Sequence, residues 1–144
     1  MTTVKQIIQT KGPDVWTVSP DACVRDVLQM LIERKIGALP VVDGGKLVGI
    51  ISERDYIRKV ALSDKLSLNT EVGKIMTTQV CYVEPTQTVE DCMALMTDKR
   101  VRHLPVLDGE KLVGIVSIGD LVKNIISHQE FMIKQLEHYI SGVV

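Results

Sequence analysis

Leu39 to Asp55 reads LPVVDGGKLVGIISERD, and it returns at Leu104 to Asp120 as LPVLDGEKLVGIVSIGD, 65 residues later and without a gap. The correspondence runs upstream as well: Pro20 lies over Pro85, Val24 over Val89 and Asp26 over Asp91. A fixed-period repeat constrains a fold more than any local propensity. Two copies are too few for a solenoid, so they imply two similar units packed about an approximate twofold axis.

The elements of one unit can be read outward from the quoted stretch. Ala38 to Val42 and Lys46 to Ile51 read as strands, joined by a tight turn at Asp43-Gly44-Gly45. Upstream, Val24, Val27, Leu28, Leu31 and Ile32 recur at helical spacing, so a helix is expected over about Cys23 to Lys35, stopping near Gly37. Val15 to Val18 has the composition of a brief strand, and Val4 to Thr10 that of one or two helical turns. A further helix follows from about Ser52 to Leu62, and the polar stretch Ser63 to Thr70 connects the halves. The second half repeats the order: a short helix over Val72 to Met76, strand at Val80 to Val83, helix at Thr88 to Lys99, strands at Leu104 to Leu107 and Lys111 to Val116. The expected class is α+β, each repeat β-α-β-β-α, with the two sheets covering each other. The expected units are residues 1–66, 67–127 and a helical extension over 128–144. In that extension, apolar residues keep helical periodicity from Ile118 to Ile140, leaving Met132, Ile133, Leu136, Tyr139 and Ile140 on a stripe that a small module cannot cover.

Composition narrows the function classes. The chain has 144 residues, so each half holds about 60 and is marginal alone. A net charge of −1 and only five aromatic residues (one Trp, three Tyr, one Phe) argue against a nucleic-acid or anionic-membrane partner. No stretch approaches the roughly 18 apolar residues of a membrane span. The start carries no signal-like apolar run, and Cys23, Cys81 and Cys92 form no CxxC pair. Reduced thiols and a cytoplasmic location are the expectation. Neither GxxxxGKS nor GxSxG occurs, and His128 and His138 are too far apart on one helix to share a metal. No catalytic residue, metal or catalytic cofactor is expected.

Both copies end in Gly-Ile-Ile/Val-Ser-x-x-Asp, at Gly49 to Asp55 and Gly114 to Asp120. Ser-x-x-Asp before an apolar helix resembles a capping box, with Asp where Glu or Gln is usual. A carboxylate one turn into a helix can also accept hydrogen bonds from the two hydroxyls of a ribose. The two roles are compatible, because a cap fixes the direction of the carboxylate.

Taken together, the doubled (Ala/His)-Leu-Pro-Val-(Val/Leu)-Asp, turn, Lys-Leu-Val-Gly-Ile and Ser-x-x-Asp resemble a tandem pair of CBS domains, the module named after cystathionine beta-synthase, and the whole is similar to stand-alone bacterial two-repeat proteins. The resemblance runs from about Val4 to about Ile126. It implies two clefts that bind an adenosine-containing ligand such as AMP, ADP, ATP, S-adenosylmethionine or NAD. It assigns ribose contacts to Ser52 with Asp55 and to Ser117 with Asp120. It puts the base against Ile50 and Ile115, and the adenine and phosphate beside Ile36-Gly37-Ala38 and Val101-Arg102-His103. Arg102 and Arg54 are candidates for a phosphate. The implied role is a ligand sensor without catalysis, and the apolar stripe on the last helix points to a homodimer. The alternatives are a dimerisation scaffold with vestigial clefts and a regulatory subunit of a separate enzyme or transporter.

Overall fold

A computed structural model of the chain describes the backbone of residues 1–140 and the side chains of residues 1–138. The Tyr139 and Ile140 side chains, expected on the apolar stripe, lie outside the described residues. In chain order the elements are α1 (Val4–Lys11), α2 (Val24–Arg34), β1 (Ala38–Asp43), β2 (Lys46–Ser52) and α3 (Glu53–Lys59). A 3-10 turn at Val72–Lys74 opens the second half, followed by α4 (Val89–Lys99), β3 (His103–Asp108), β4 (Lys111–Ser117) and α5 (Ile118–Ile140). The class is α+β. Two antiparallel hairpins, β1-β2 and β3-β4, share one register, including a bulge between Val41 and Val42 and its equivalent between Val106 and Leu107. Strands β2 and β4 meet across the pseudo-twofold.

The expected leading strand of each repeat shrinks to one residue. Val18 donates its N–H to the Pro40 carbonyl at 3.1 Å, and Val42 donates to Val18 at 2.9 Å. Val83 does the same with Pro105 (3.0 Å) and Leu107 (2.9 Å). These are parallel bridges, as a crossover through α2 or α4 requires. Prolines explain why they go no further. The next ladder bond upstream needs an N–H from Pro40, and the next downstream needs one from Pro20; neither residue has it. Pro105 and Pro85 end the second ladder in the same way.

Helix α2 buries Val24, Val27 and Leu31. Ile32, expected on the same face, is 76% exposed instead. The helix ends at Lys35 as expected, but the stop is Lys35 itself in the left-handed region (φ 56°) and not Gly37, and α4 ends identically on Arg100 (φ 56°). Glycine or asparagine is the usual residue there, and a larger side chain costs about 1 kcal/mol or more.

The two cores cross over between repeats. Val4 and Ile7 of α1 pack with Val83, Val89, Cys92, Met96, Leu104, Val106, Val116 and Leu121 of the second repeat. Val72 and Ile75 pack with Val24, Val27, Leu31, Leu39, Val41 and Ile51 of the first. Backbone bonds fix the exchange. Val4 donates to Gln87 at 2.8 Å and Val89 to Thr2 at 3.0 Å; Val72 donates to Ala22 at 2.7 Å and Val24 to Thr70 at 2.9 Å. Each repeat is therefore completed by the segment that precedes the other one. Two glycines make room. A Cβ on Gly49 would lie 2.6 Å from Met76 Sδ, and one on Gly114 would lie 2.8 Å from Ile8 Cδ1.

Candidate functional site

The β2–α3 and β4–α5 junctions carry the repeated serine and aspartate, and both form caps. Ser52 accepts a hydrogen bond from the Asp55 N–H at 3.3 Å, while the Ser52 N–H donates back to Asp55 Oδ2 at 3.0 Å. Ser117 and Asp120 reproduce the pair at 3.1 and 2.8 Å. Aspartate is short for this reciprocal bond, yet it closes in both repeats, and it holds each carboxylate rigidly at the end of a strand.

Beyond the cap the two carboxylates differ. Asp55 is buried, at 8% exposure. Its Oδ1 accepts from the Thr77 hydroxyl at 3.0 Å and pairs with Lys59 at 3.3 Å, and its Oδ2 accepts from the Ser52 hydroxyl at 3.1 Å. Asp120 is more open. Its Oδ2 pairs with Lys11 at 2.7 Å, and Lys11 also donates to the Ile115 carbonyl at 2.8 Å. Its Oδ1 accepts no hydrogen bond among the described residues.

All thirteen residues singled out in the sequence line one cavity of about 590 Å³: Ile36, Gly37, Ala38, Ile50, Ser52, Arg54, Asp55, Val101, Arg102, His103, Ile115, Ser117 and Asp120. The two expected clefts therefore open into a single space between the repeats, within the size range of small-molecule sites. His103 reaches across the pseudo-twofold: a Cβ on Gly37 would lie 3.0 Å from its Cε1 and Nε2. Burial holds the His103 imidazole below its ordinary pKa, and Lys11 and Arg102 push the same way against Asp120. A neutral imidazole suits a contact with an uncharged base. Arg54 donates to the Arg100 carbonyl at 3.1 Å, tying α3 of the first repeat to the end of α4 in the second.

The structure adds cavity residues that motif reading missed. Lys11 and Thr77 come from the exchanged segments, so their sequence positions give no hint of Asp120 or Asp55. Lys35 and Arg100, the two left-handed caps, also line the space, with Glu53 and Arg58. Their equivalence was readable, because 35 plus 65 is 100, but the repeat alone does not say that the position faces a cavity. Six cations (Lys11, Lys35, Arg54, Arg58, Arg100, Arg102) face three carboxylates (Glu53, Asp55, Asp120), so the lining favours an anion.

Two α+β repeats that complete each other's cores around one shared, duplicated site define a ligand-binding repeat pair. The chain belongs to the CBS-domain family: the family model for the CBS domain matches residues 4–62 and 72–127. CBS-domain pairs are regulatory modules. The crystal structure of the CBS domain protein NE2398 is 52% identical and superposes with a TM-score of 0.83, covering 88% of this chain and 99% of that one. The mitochondrial CBS domain-containing protein CBSX3 of Arabidopsis thaliana is 36% identical over 98% of this chain and 73% of its own. CBSX2, whose structure is in complex with AMP, is 27% identical with a TM-score of 0.75, covering 88% of this chain and 98% of that one. Among the described residues no helix is long and apolar enough to cross a membrane.

Proposed function

We propose that this protein is a sensor module that binds an adenine nucleotide or NAD in the cavity between its repeats and alters a partner's activity without making or breaking a bond. The carrying observation is that both capped aspartates, with Ile50 and Ile115, face one cation-rich cavity. The AMP complex of CBSX2 supports the ligand class. In this reading the free Oδ1 of Asp120 takes the ribose hydroxyls, Ile115 packs on the base, and Ser117 keeps the carboxylate aimed.

Calorimetry with AMP, ADP, ATP and NAD tests the reading. Asp120→Ala removes hydrogen bonds to a charged group worth about 1.5–3 kcal/mol, so affinity should fall at least ten-fold in a protein that still folds. Unchanged affinity in a folded Asp120→Ala protein would reject the ribose assignment.

A scaffold reading has one observation in its favour. Along α5, Ile118, Val122, Ile126, Met132, Ile133 and Leu136 form an exposed apolar stripe, and Phe131 is exposed on the opposite face. In the sensor reading the stripe is the homodimer contact, through which the cavity is coupled to a regulated protein. In the scaffold reading it is the whole function. Ligand separates them: at 100 times its dissociation constant a true ligand stabilises the fold by about 2.7 kcal/mol, and a vestigial cavity gives no such shift.

A further inference from the structure

Three arginines stand apart in the cavity. Arg54, Arg100 and Arg102 line both the main space of about 590 Å³ and an adjoining one of about 300 Å³ walled by Met93, Met96 and Ile118. They come from two repeats, and the Arg54 guanidinium donates to the Arg100 carbonyl at 3.1 Å. None forms an ion pair with a carboxylate among the described residues. Arg100 and Arg102 are exposed and unpaired, so their planar forks are open to anionic oxygen.

The pseudo-twofold shows that this cluster is not simply part of the repeated frame. Shifting by 65 residues turns Arg54 into Gly119, Arg100 into Lys35 and Arg102 into Gly37. At these three positions one half of the pseudo-twofold carries three forked cations where the other carries one lysine and two glycines. The adjoining 300 Å³ space lies on the arginine side. A single phosphate is satisfied by one or two guanidinium forks; three of them with extra room suit a chain of phosphates.

We propose that Arg54, Arg100 and Arg102 form a polyphosphate subsite, so that the module takes one nucleoside di- or triphosphate per chain and discriminates against the monophosphate. This rests on the adenine-nucleotide reading for the base and ribose, but the subsite itself needs only phosphate.

Calorimetry on the full chain with adenosine, AMP, ADP, ATP and inorganic tripolyphosphate tests it. The expected result is one ATP per chain, bound at least ten-fold more tightly than AMP, a difference of about 1.4 kcal/mol, with tripolyphosphate competing. The Arg100→Gln/Arg102→Gln double variant should weaken ATP and tripolyphosphate by ten-fold or more and bring the ATP-to-AMP ratio near one. Arg102→Lys, which keeps the charge and loses the fork, should fall between. Arg54→Gln gives a second route to the same loss if the double variant does not fold. ATP bound no more tightly than AMP, an ATP preference that survives these substitutions, or two equal ATP sites per chain would each overturn the subsite. Adenine compounds bound without regard to phosphate number sink the subsite and leave the adenine reading. Tripolyphosphate bound through the arginines, with adenine conferring nothing, sinks the adenine reading and leaves the subsite. Binding of neither rejects both.

Discussion

Asp55 and Asp120 occupy equivalent places in equivalent motifs, yet their loss should read out differently, and Asp55→Ala is the sharper test of how the fold is held. The Asp55 carboxylate accepts from the Ser52 N–H (3.0 Å), the Ser52 hydroxyl (3.1 Å) and the Thr77 hydroxyl (3.0 Å). Its side chain is 11% exposed. Removing it strands these donors next to the exchanged Thr77 segment. Bonds to a charged group are worth about 1.5–3 kcal/mol each and do not add fully, so a net loss of about 3 kcal/mol is expected. Lys59 adds at most about 1 kcal/mol, because it is 42% exposed and its ion pair is screened. Asp120→Ala removes fewer contacts: one backbone bond and a pair with Lys11, which is 38% exposed. About 1 kcal/mol is expected there. In a chain of this size 1 kcal/mol moves the melting midpoint by about 2–4 °C. Thermal unfolding of ligand-free protein by circular dichroism should therefore show a drop of about 6–12 °C for Asp55→Ala and about 2–4 °C for Asp120→Ala. Equal drops, or a larger one for Asp120→Ala, would refute the view that the first carboxylate is chiefly a fold contact and the second is free for ligand.

Gly49→Ala should destabilise by about 1–3 kcal/mol in urea titration, because its Cβ would meet the Thr77 backbone carbonyl at 3.0 Å as well as Met76. Gly114→Ala should lose less, since only the movable Ile8 side chain stands in the way. Acidification should lower stability through His103. Its folded-state pKa lies below the ordinary 6.5, so as pH falls past 6.5 the unfolded chain takes up the proton first. Stability is full above that value and declines until the folded imidazole also titrates; melts of His103→Gln between pH 7 and pH 5 should show a shallower decline. Truncation after Ser127 should turn a dimer into a monomer that still binds nucleotide. Light scattering that finds the intact chain monomeric at micromolar concentration, or the shortened one dimeric, rules out that role for α5.

The repeat, the hairpins, the helices and the Ser-x-x-Asp junctions were legible before folding, because each is encoded in local periodicity, turn glycines or a fixed motif. The sequence also held the reason why the leading strands fail: Pro20 and Pro40, like Pro85 and Pro105, remove the N–H groups that a longer ladder needs. Tertiary structure alone decided the exchange of leading segments. Val4 and Ile7 look like the start of the first unit, and nothing local distinguishes burial in their own repeat from burial in the other. That exchange brings Lys11 to Asp120 across 109 positions, and Thr77 to Asp55 across 22. It also gives two like motifs unlike surroundings. A contact between segments so far apart depends on which surfaces remain uncovered once the hairpins have formed, and no spacing along the chain records that.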